Sequence, residues 1–378
     1  MSVLSPAQQI PGQHKHMRIK ELDGLRGIAV LAVILHHYFS WLPITGSPFG
    51  WLGVNLFFVL SGFLITSILL QLRDKQHYFS VFYSRRALRI FPPYYIGIAV
   101  YLCVSLALGR PGDLETWLSY IFYYSSLLFT APPIFKVLPE TVAFGLGVTW
   151  SLSVEEVYYT IWAPIVRFTS QRIFAAILVG MIVAAPVLRF WWQMSHNHPI
   201  ANFYCQMDGL ALGSAVALFI RCRSLAPDRW LQRDKLFDRF AAIFIPLTVA
   251  FWALSAKHSL VPLIFNLGVL PANLSFALIV HTMVRHAGGT QLWVRPFRAK
   301  WLRSVGKVSY SLYLFHYALL IVSEGIFARL HLPRRVGAVG TDLLALTMSF
   351  AVAYGLWYGM ESRILRWKDR KVPSPVHP

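Results

Sequence analysis

Charge is what this chain has least of. Charged side chains make up 13% of its 378 residues, about half the share of an ordinary soluble domain. That scarcity excludes a water-soluble globular protein of this length. Acids are rarer than bases, with 16 Asp and Glu against 35 Lys and Arg. The three cysteines, Cys103, Cys205 and Cys222, are scattered and form no Cys-x-x-Cys pair. This argues against a disulfide framework or a thiolate metal site. The first twenty residues are polar and basic and hold no apolar core of a cleavable leader. No internal repeat is visible, and no stretch is polar enough for a separate soluble catalytic domain.

Apolar residues are in excess, at 56% of the chain, and aromatics reach 15%. They gather into ten segments of spanning length, near 24–41, 51–72, 91–109, 149–167, 173–193, 205–220, 240–256, 261–284, 308–329 and 341–364. The expected fold is an all-α integral membrane protein, a bundle of about ten transmembrane helices with both termini cytoplasmic. Residues 1–20 read as a cytoplasmic tail, 21–367 as the membrane domain and 368–378 as a second tail. The apolar stretch 117–135 is broken by Pro132 and Pro133 and reads as a re-entrant or interfacial piece, with an eleventh span as the alternative. Placing the amino terminus inside puts 28 of the 35 basic residues on the cytoplasmic side, as the positive-inside rule requires. Arg334 and Arg335, on the outer side, dissent. The net charge of +19 therefore follows the membrane surface, and nucleic acid is not expected as a partner.

The first segment carries Asp23, Arg26, His36 and His37. Ionisable groups inside a span are costly and mark functional sites by default. On a helix, Arg26 and His37 return to within about 20° of one another, roughly 16 Å apart along the axis. His36 points away and reads as a packing or interfacial residue. A structural account is open: Asp23 as a helix cap and Arg26 as an anchor. His37 on the arginine's face, within an apolar run, favours function, because a neutral imidazole is a competent general base. Asp23 or Glu155 would orient it.

Further along, Asn55 needs a hydrogen-bond partner inside the bilayer, while Ser61 and Gly62 let helices approach closely. Arg85, Arg86 and Arg89 occupy about one and a half turns just before Pro92-Pro93. Such a cluster suits phosphates and equally suits a positive-inside anchor. Trp150 opens a segment in which Glu155 and Glu156 are adjacent, and Glu155 shares a face with Tyr159. Asp208 lies near the outer end of the sixth segment. Ser309, Tyr313 and His316 fall on one helical face. His316 defaults to a satisfied core histidine, and the stripe is candidate cavity lining.

These pieces together resemble the acyltransferase 3 family, multispan membrane acyltransferases that modify sugars and other acceptors. The likeness rests on Leu22-Asp23-Gly-Leu-Arg26, the Arg26/His37 spacing and Gly53-Val-Asn55-Leu-Phe-Phe-Val-Leu-Ser61-Gly-Phe63. Arg85-Arg86-x-x-Arg89-Ile-x-Pro-x-Tyr94, Trp150-Ser-Leu-Ser-Val-Glu155-Glu156 and Ser309-Tyr-Ser-Leu-Tyr313-Leu-Phe-His316 complete it. The resemblance implies a ten-helix domain, a catalytic His37, an essential Arg26, and an important glutamate at Glu155. It also implies that Arg86 and Arg89 help hold an acyl donor, usually acyl-coenzyme A from the cytoplasm. The chain resembles the stand-alone type without an esterase-like domain. Two positions depart: Asn55 stands where many members have Asp, and Gln206 where an arginine commonly precedes the Asp by two.

The expected activity is O-acyl transfer, most often O-acetyl, from acyl-coenzyme A to a hydroxyl of a carbohydrate or glycolipid in a bacterial-type inner membrane. His37 would be the base, with Asp23 or Glu155 beside it. Arg26, Arg85, Arg86 and Arg89 would grip the donor. Asn55, Ser61, Trp150, Tyr159, Asp208, Tyr313 and His316 would line the substrate cavity. No metal and no permanently bound cofactor is expected. The competing class is a transporter or flippase of an anionic or lipid-linked solute, which inverted repeats would favour.

Overall fold

The computed structural model describes residues 19–39, 50–127, 134–196, 202–225, 231–255, 261–330 and 333–372. Among them every regular element is helical. This follows from the apolar composition, because a backbone in hydrocarbon must satisfy its own hydrogen bonds. The long helices are α1 (Lys20–Tyr38), α2 (Leu52–Leu72) and α3 (Tyr78–Ala107). Short helices α4 (Leu114–Ile121), α5 (Ile134–Val137) and α6 (Glu140–Gly147) follow. Then come α7 (Trp150–Phe168), α8 (Gln171–His196), α9 (Phe203–Leu225), α10 (Leu231–Ser255) and α11 (Val261–Arg285). The chain closes with α12 (Lys300–Ala328), α13 (Arg334–Leu356), a π turn at Trp357–Glu361 and α14 (Ser362–Lys371).

Seven helices among the described residues are long and apolar enough to cross a membrane, which makes this a multi-pass membrane protein. They are α2, α3, α8, α9, α11, α12 and the α13–α14 run. The other three expected segments coincide with the long helices α1, α7 and α10. Helices α1 and α7 carry the charged residues Asp23, Arg26, Glu155 and Glu156. Between residues 114 and 147 only short helices occur among the described residues. No helix of spanning length forms among those described residues, and Pro132 and Pro133 lie outside them. Helix α3 starts earlier than expected. It runs from Tyr78 through Pro92 and Pro93, so the arginine cluster and the span share one helix. Prolines are tolerated in membrane helices where neighbours compensate; just before them, α12 meets α3 through the Tyr310 hydroxyl, which donates to the Ile90 carbonyl, 3.2 Å away.

Helix α2 is the centre of the bundle and packs along α9, while α1 packs along α12. Both approaches are close because a side chain is missing at the crossing. A Cβ at Gly213 of α9 would collide with the Val59 carbonyl of α2, and one at Gly306 of α12 with the Asp23 carbonyl of α1. Buried hydroxyls then tie three helices together. Ser214 bonds Thr66 at 2.7 Å and Tyr158 at 2.6 Å. Trp162 donates its indole N–H to Thr66 at 2.8 Å. On the outside, α8 presents exposed Val179, Val183 and Val187, as a lipid-facing helix must.

Gly213→Leu should cost about 1–3 kcal/mol, the range for overpacking a filled site. Gly180→Leu, which meets open space on α8, should leave stability within about 0.5 kcal/mol. Thermal unfolding of the two variants in the same detergent checks this. Equal loss would show that the α2–α9 contact is not the tight one.

Candidate active site

A cavity of about 340 Å³ opens between α1, α2, α3, α7, α12 and α14. It is lined by Arg26, Arg85, Arg86, Arg89 and Lys368, with Glu155 as its carboxylate and Ser61, Tyr159 and Tyr313 on its walls. Phe57, Phe58, Leu64 and Ile65 make the rest apolar. Nine residues proposed from the sequence thus meet in one place: Arg26, Ser61, Arg85, Arg86, Arg89, Glu155, Tyr159, Ser309 and Tyr313.

The charges are not equivalent. Arg86 is clamped: Nε and Nη2 donate to Glu156 Oε1 at 3.2 and 3.0 Å. Its Nη2 lies 3.8 Å from Glu155 Oε2. The guanidinium carbon sits 3.3 Å from the centre of the Tyr159 ring, a cation–π stack on top of the ion pairs. Glu155 Oε1 accepts from Ser61 Oγ at 2.6 Å. So the adjacent glutamates are explained physically: they neutralise a guanidinium that α3 carries into the bundle. Arg26 Nη2 donates to Ser309 Oγ at 3.2 Å. Arg85 is drawn to the chain's end, with 2.6 Å to Asp369 and 3.0 Å to the Val372 carbonyl.

His37 stands outside the cavity lining. Its Nδ1 lies 2.9 Å from His316 Nε2, and its ring packs on Tyr317 at 4.7 Å and on His36 at 5.3 Å. His316 is fully buried and its Nδ1 lies 2.6 Å from the Tyr313 carbonyl. The Tyr313 hydroxyl bonds Ser151 at 2.8 Å and the Val148 carbonyl at 3.0 Å. Cavity and His37 are therefore joined through Tyr313 and His316.

The expected orienting acids are elsewhere. Asp23 lies fourteen residues from His37 on one continuous helix, about 21 Å of rise, which rules out contact between them. Glu155 is engaged by Ser61 and Arg86. The side chain hydrogen-bonded to His37 is His316.

Four proposed cavity residues do not line it: His316, placed against His37 behind Tyr313, and Asn55, Trp150 and Asp208. Asn55 is buried and donates to Asn273 Oδ1 at 2.9 Å, linking α2 to α11. Trp150 packs edge-on against Phe58, 5.9 Å between ring centres. Asp208, fully buried, takes a bidentate pair from Arg189 at 2.9 and 2.7 Å. Arg189 also donates to the Cys205 carbonyl at 2.6 Å, and the whole joins α8 to α9. Asn55 and Asp208 thus bond across helix contacts, α2 to α11 and α8 to α9.

Sequence reading missed Lys368, Tyr310 and Ser151 as lining residues and Tyr317 as the partner of His37. Tyr310 and Tyr317 lie in the same motif as His316 and were within reach of periodicity. Lys368 was not, because nothing local shows that α14 folds back onto α3.

The Arg189–Asp208 pair gives a clean test. Arg189→Met should destabilise by about 3–5 kcal/mol, because it strands a buried carboxylate. The double variant Arg189→Met/Asp208→Leu should recover most of that loss. Thermal unfolding in detergent reads both, and simple addition of the two single effects would show no coupling.

The family model described as an acyltransferase domain matches residues 19–358. YrhL of Bacillus subtilis (strain 168), provisionally named a peptidoglycan O-acetyltransferase, is 30% identical over 83% of this chain and 50% of its own. The peptidoglycan O-acetyltransferase OatA of Listeria monocytogenes is 27% identical over 82% of this chain and 50% of its own. SACOL0978 of Staphylococcus aureus (strain COL), provisionally named an O-acetyltransferase, is 27% identical over 90% of this chain and 56% of its own. The chain spans about half the length of these curated relatives. No solved structure matches it. With the family match running from α1 to the π turn after α13, and every cavity-lining motif except Lys368 inside it, the chain belongs to the acyltransferase domain family.

Proposed function

We propose that this protein is a membrane O-acyltransferase. It moves an acyl group, acetyl by preference, from acyl-coenzyme A to a hydroxyl of a carbohydrate, with a cell-wall glycan of the peptidoglycan type as the leading acceptor class. The observation that carries this is the cavity. Four arginines and a lysine converge on it, and its far wall leads through Tyr313 and His316 to His37. A cavity of about 340 Å³ is at the lower end for ligand sites, which run ~300–1,000 Å³. It suits the pantetheine arm and acyl group, with the nucleotide phosphates at the basic mouth.

Arg86 is neutralised by Glu155, Glu156 and Tyr159, so it shapes the wall. Arg26, Arg85, Arg89 and Lys368 supply the positive field for the phosphates. The basic mouth is the cytoplasmic end of a protein in the bacterial inner membrane, and His37 lies nearer the outer face, where a glycan arrives. In the reaction His37 takes the proton of the acceptor hydroxyl. The oxygen attacks the thioester carbonyl, the carbon–sulfur bond breaks, and the departing thiolate recovers the proton from His37. Base and acceptor atoms balance without another reactant.

Two measurements test this. His37→Ala in lipid nanodiscs should lose acyl transfer by about 10²–10⁴-fold while remaining folded and inserted; normal turnover would remove His37 as the base. Arg89→Gln should raise the KM for acetyl-coenzyme A about tenfold, one charge-assisted contact's worth. The KM for the acceptor should hold. Equal increases in both would make Arg89 a structural anchor.

A further inference from the structure

A general base needs its lone pair on one particular nitrogen, and His37 has two. We propose that His316 is a positioning residue that fixes the tautomer of His37, holding its proton on Nδ1 and leaving the lone pair on Nε2. The role rests on the reading of His37 as the base.

The assignment follows from what each atom is able to do. The Tyr313 carbonyl only accepts, so His316 Nδ1, 2.6 Å from it, carries a proton. A neutral imidazole has one N–H, so His316 Nε2 is an acceptor. The atom 2.9 Å from that acceptor is His37 Nδ1, which must therefore donate. The Val33 carbonyl, one turn back on α1, also accepts from this ring; with the proton on Nδ1, His37 Nε2 is left with the lone pair.

The arrangement is held from several sides. His316 is fully buried. Its own carbonyl accepts from the Tyr38 hydroxyl at 2.7 Å, and Tyr38 in turn bonds Ser349 at 2.6 Å. Turning the His316 ring over would put carbon where the Tyr313 carbonyl needs a donor. The bond also changes strength during the reaction. Once His37 Nε2 takes the acceptor's proton, the ring is a cation, and its Nδ1–H to His316 becomes a charge-assisted bond. A contact stronger in the transition state than before it lowers the barrier. A carboxylate in this position would act similarly, but it would place an extra anion in the bundle interior.

The test compares two replacements in the full chain in nanodiscs, with acetyl-coenzyme A as donor and N-acetylglucosamine oligomers as the acceptor probe. His316→Met fills comparable volume and leaves only a thioether sulfur, a weak acceptor, in place of the imidazole nitrogen. His316→Gln keeps a side-chain oxygen able to accept from His37. We expect kcat of His316→Met to fall by about 10²-fold or more, as for other bases left in the wrong tautomer. The donor KM should stay within about twofold, and His316→Gln should restore most of kcat. Nitrogen-15 NMR of histidine-labelled protein, with His37 assigned by its loss in His37→Ala, should show the proton on Nδ1 in the wild type and its shift to Nε2 in His316→Met. An unchanged His37 tautomer in His316→Met, or equal loss in both replacements, would overturn the proposal. Retained transfer in His37→Ala would instead overturn the base reading, and the NMR result would still report on His316.

Discussion

An ionised group inside a helical bundle has to be compensated where it stands, and the architecture of this protein follows from that constraint. Three arginines show it. Arg86 enters from α3 and is met by Glu156, Glu155 and the face of Tyr159. Arg189 on α8 is met by Asp208 on α9. Arg298 pairs at 2.7 Å with Glu21, whose carboxylate is almost wholly buried. Breaking such a pair costs far more than the pair contributes, so the first two lock α3 to α7 and α8 to α9, and the third ties α1 to the single turn Arg295–Arg298 that precedes α12. The cavity gains its positive character because the basic residues around it outnumber the carboxylates that reach it.

Much of this was visible in the amino-acid order. Hydropathy placed the long helices, and the phase of α1 put Arg26 and His37 on one line. The adjacency of Glu155 and Glu156 signalled a buried charge. What stayed hidden depends on which helices become neighbours. Asp208 looked like a cavity acid because its partner, Arg189, is nineteen positions away on another helix. The return of α14 to α3 through Arg85 and Asp369 spans 284 positions. Periodicity reports the face of a helix and is silent about what that face meets.

The departure at position 206 gains a physical meaning from this. The resemblance leads one to expect an arginine two residues before Asp208, and the chain has Gln206 there. A buried carboxylate still needs a cation, and Arg189 delivers it from α8 in bidentate geometry. The requirement is for a guanidinium in space, and sequence adjacency is one way of meeting it. Asn55 follows the same logic. An aspartate at that point would face the Asn273 amide, whereas the neutral amide pair crosses from α2 to α11 without adding charge.

The register between α1 and α12 ties the site together. The two helices run in the same direction, since Asp23 packs at Gly306 and Tyr38 bonds the His316 carbonyl. With Gly306 level with the Asp23–Gly27 turn, His316 arrives ten residues on, opposite the His36–Tyr38 end. Ser309 lies three residues beyond Gly306, about 4.5 Å further along the axis. Arg26, bonded to Ser309, therefore leans toward the His37 end and shortens the roughly 16 Å that helical rise alone would leave. A glycine that lets two backbones touch at one end thus determines which histidine meets His37 at the other.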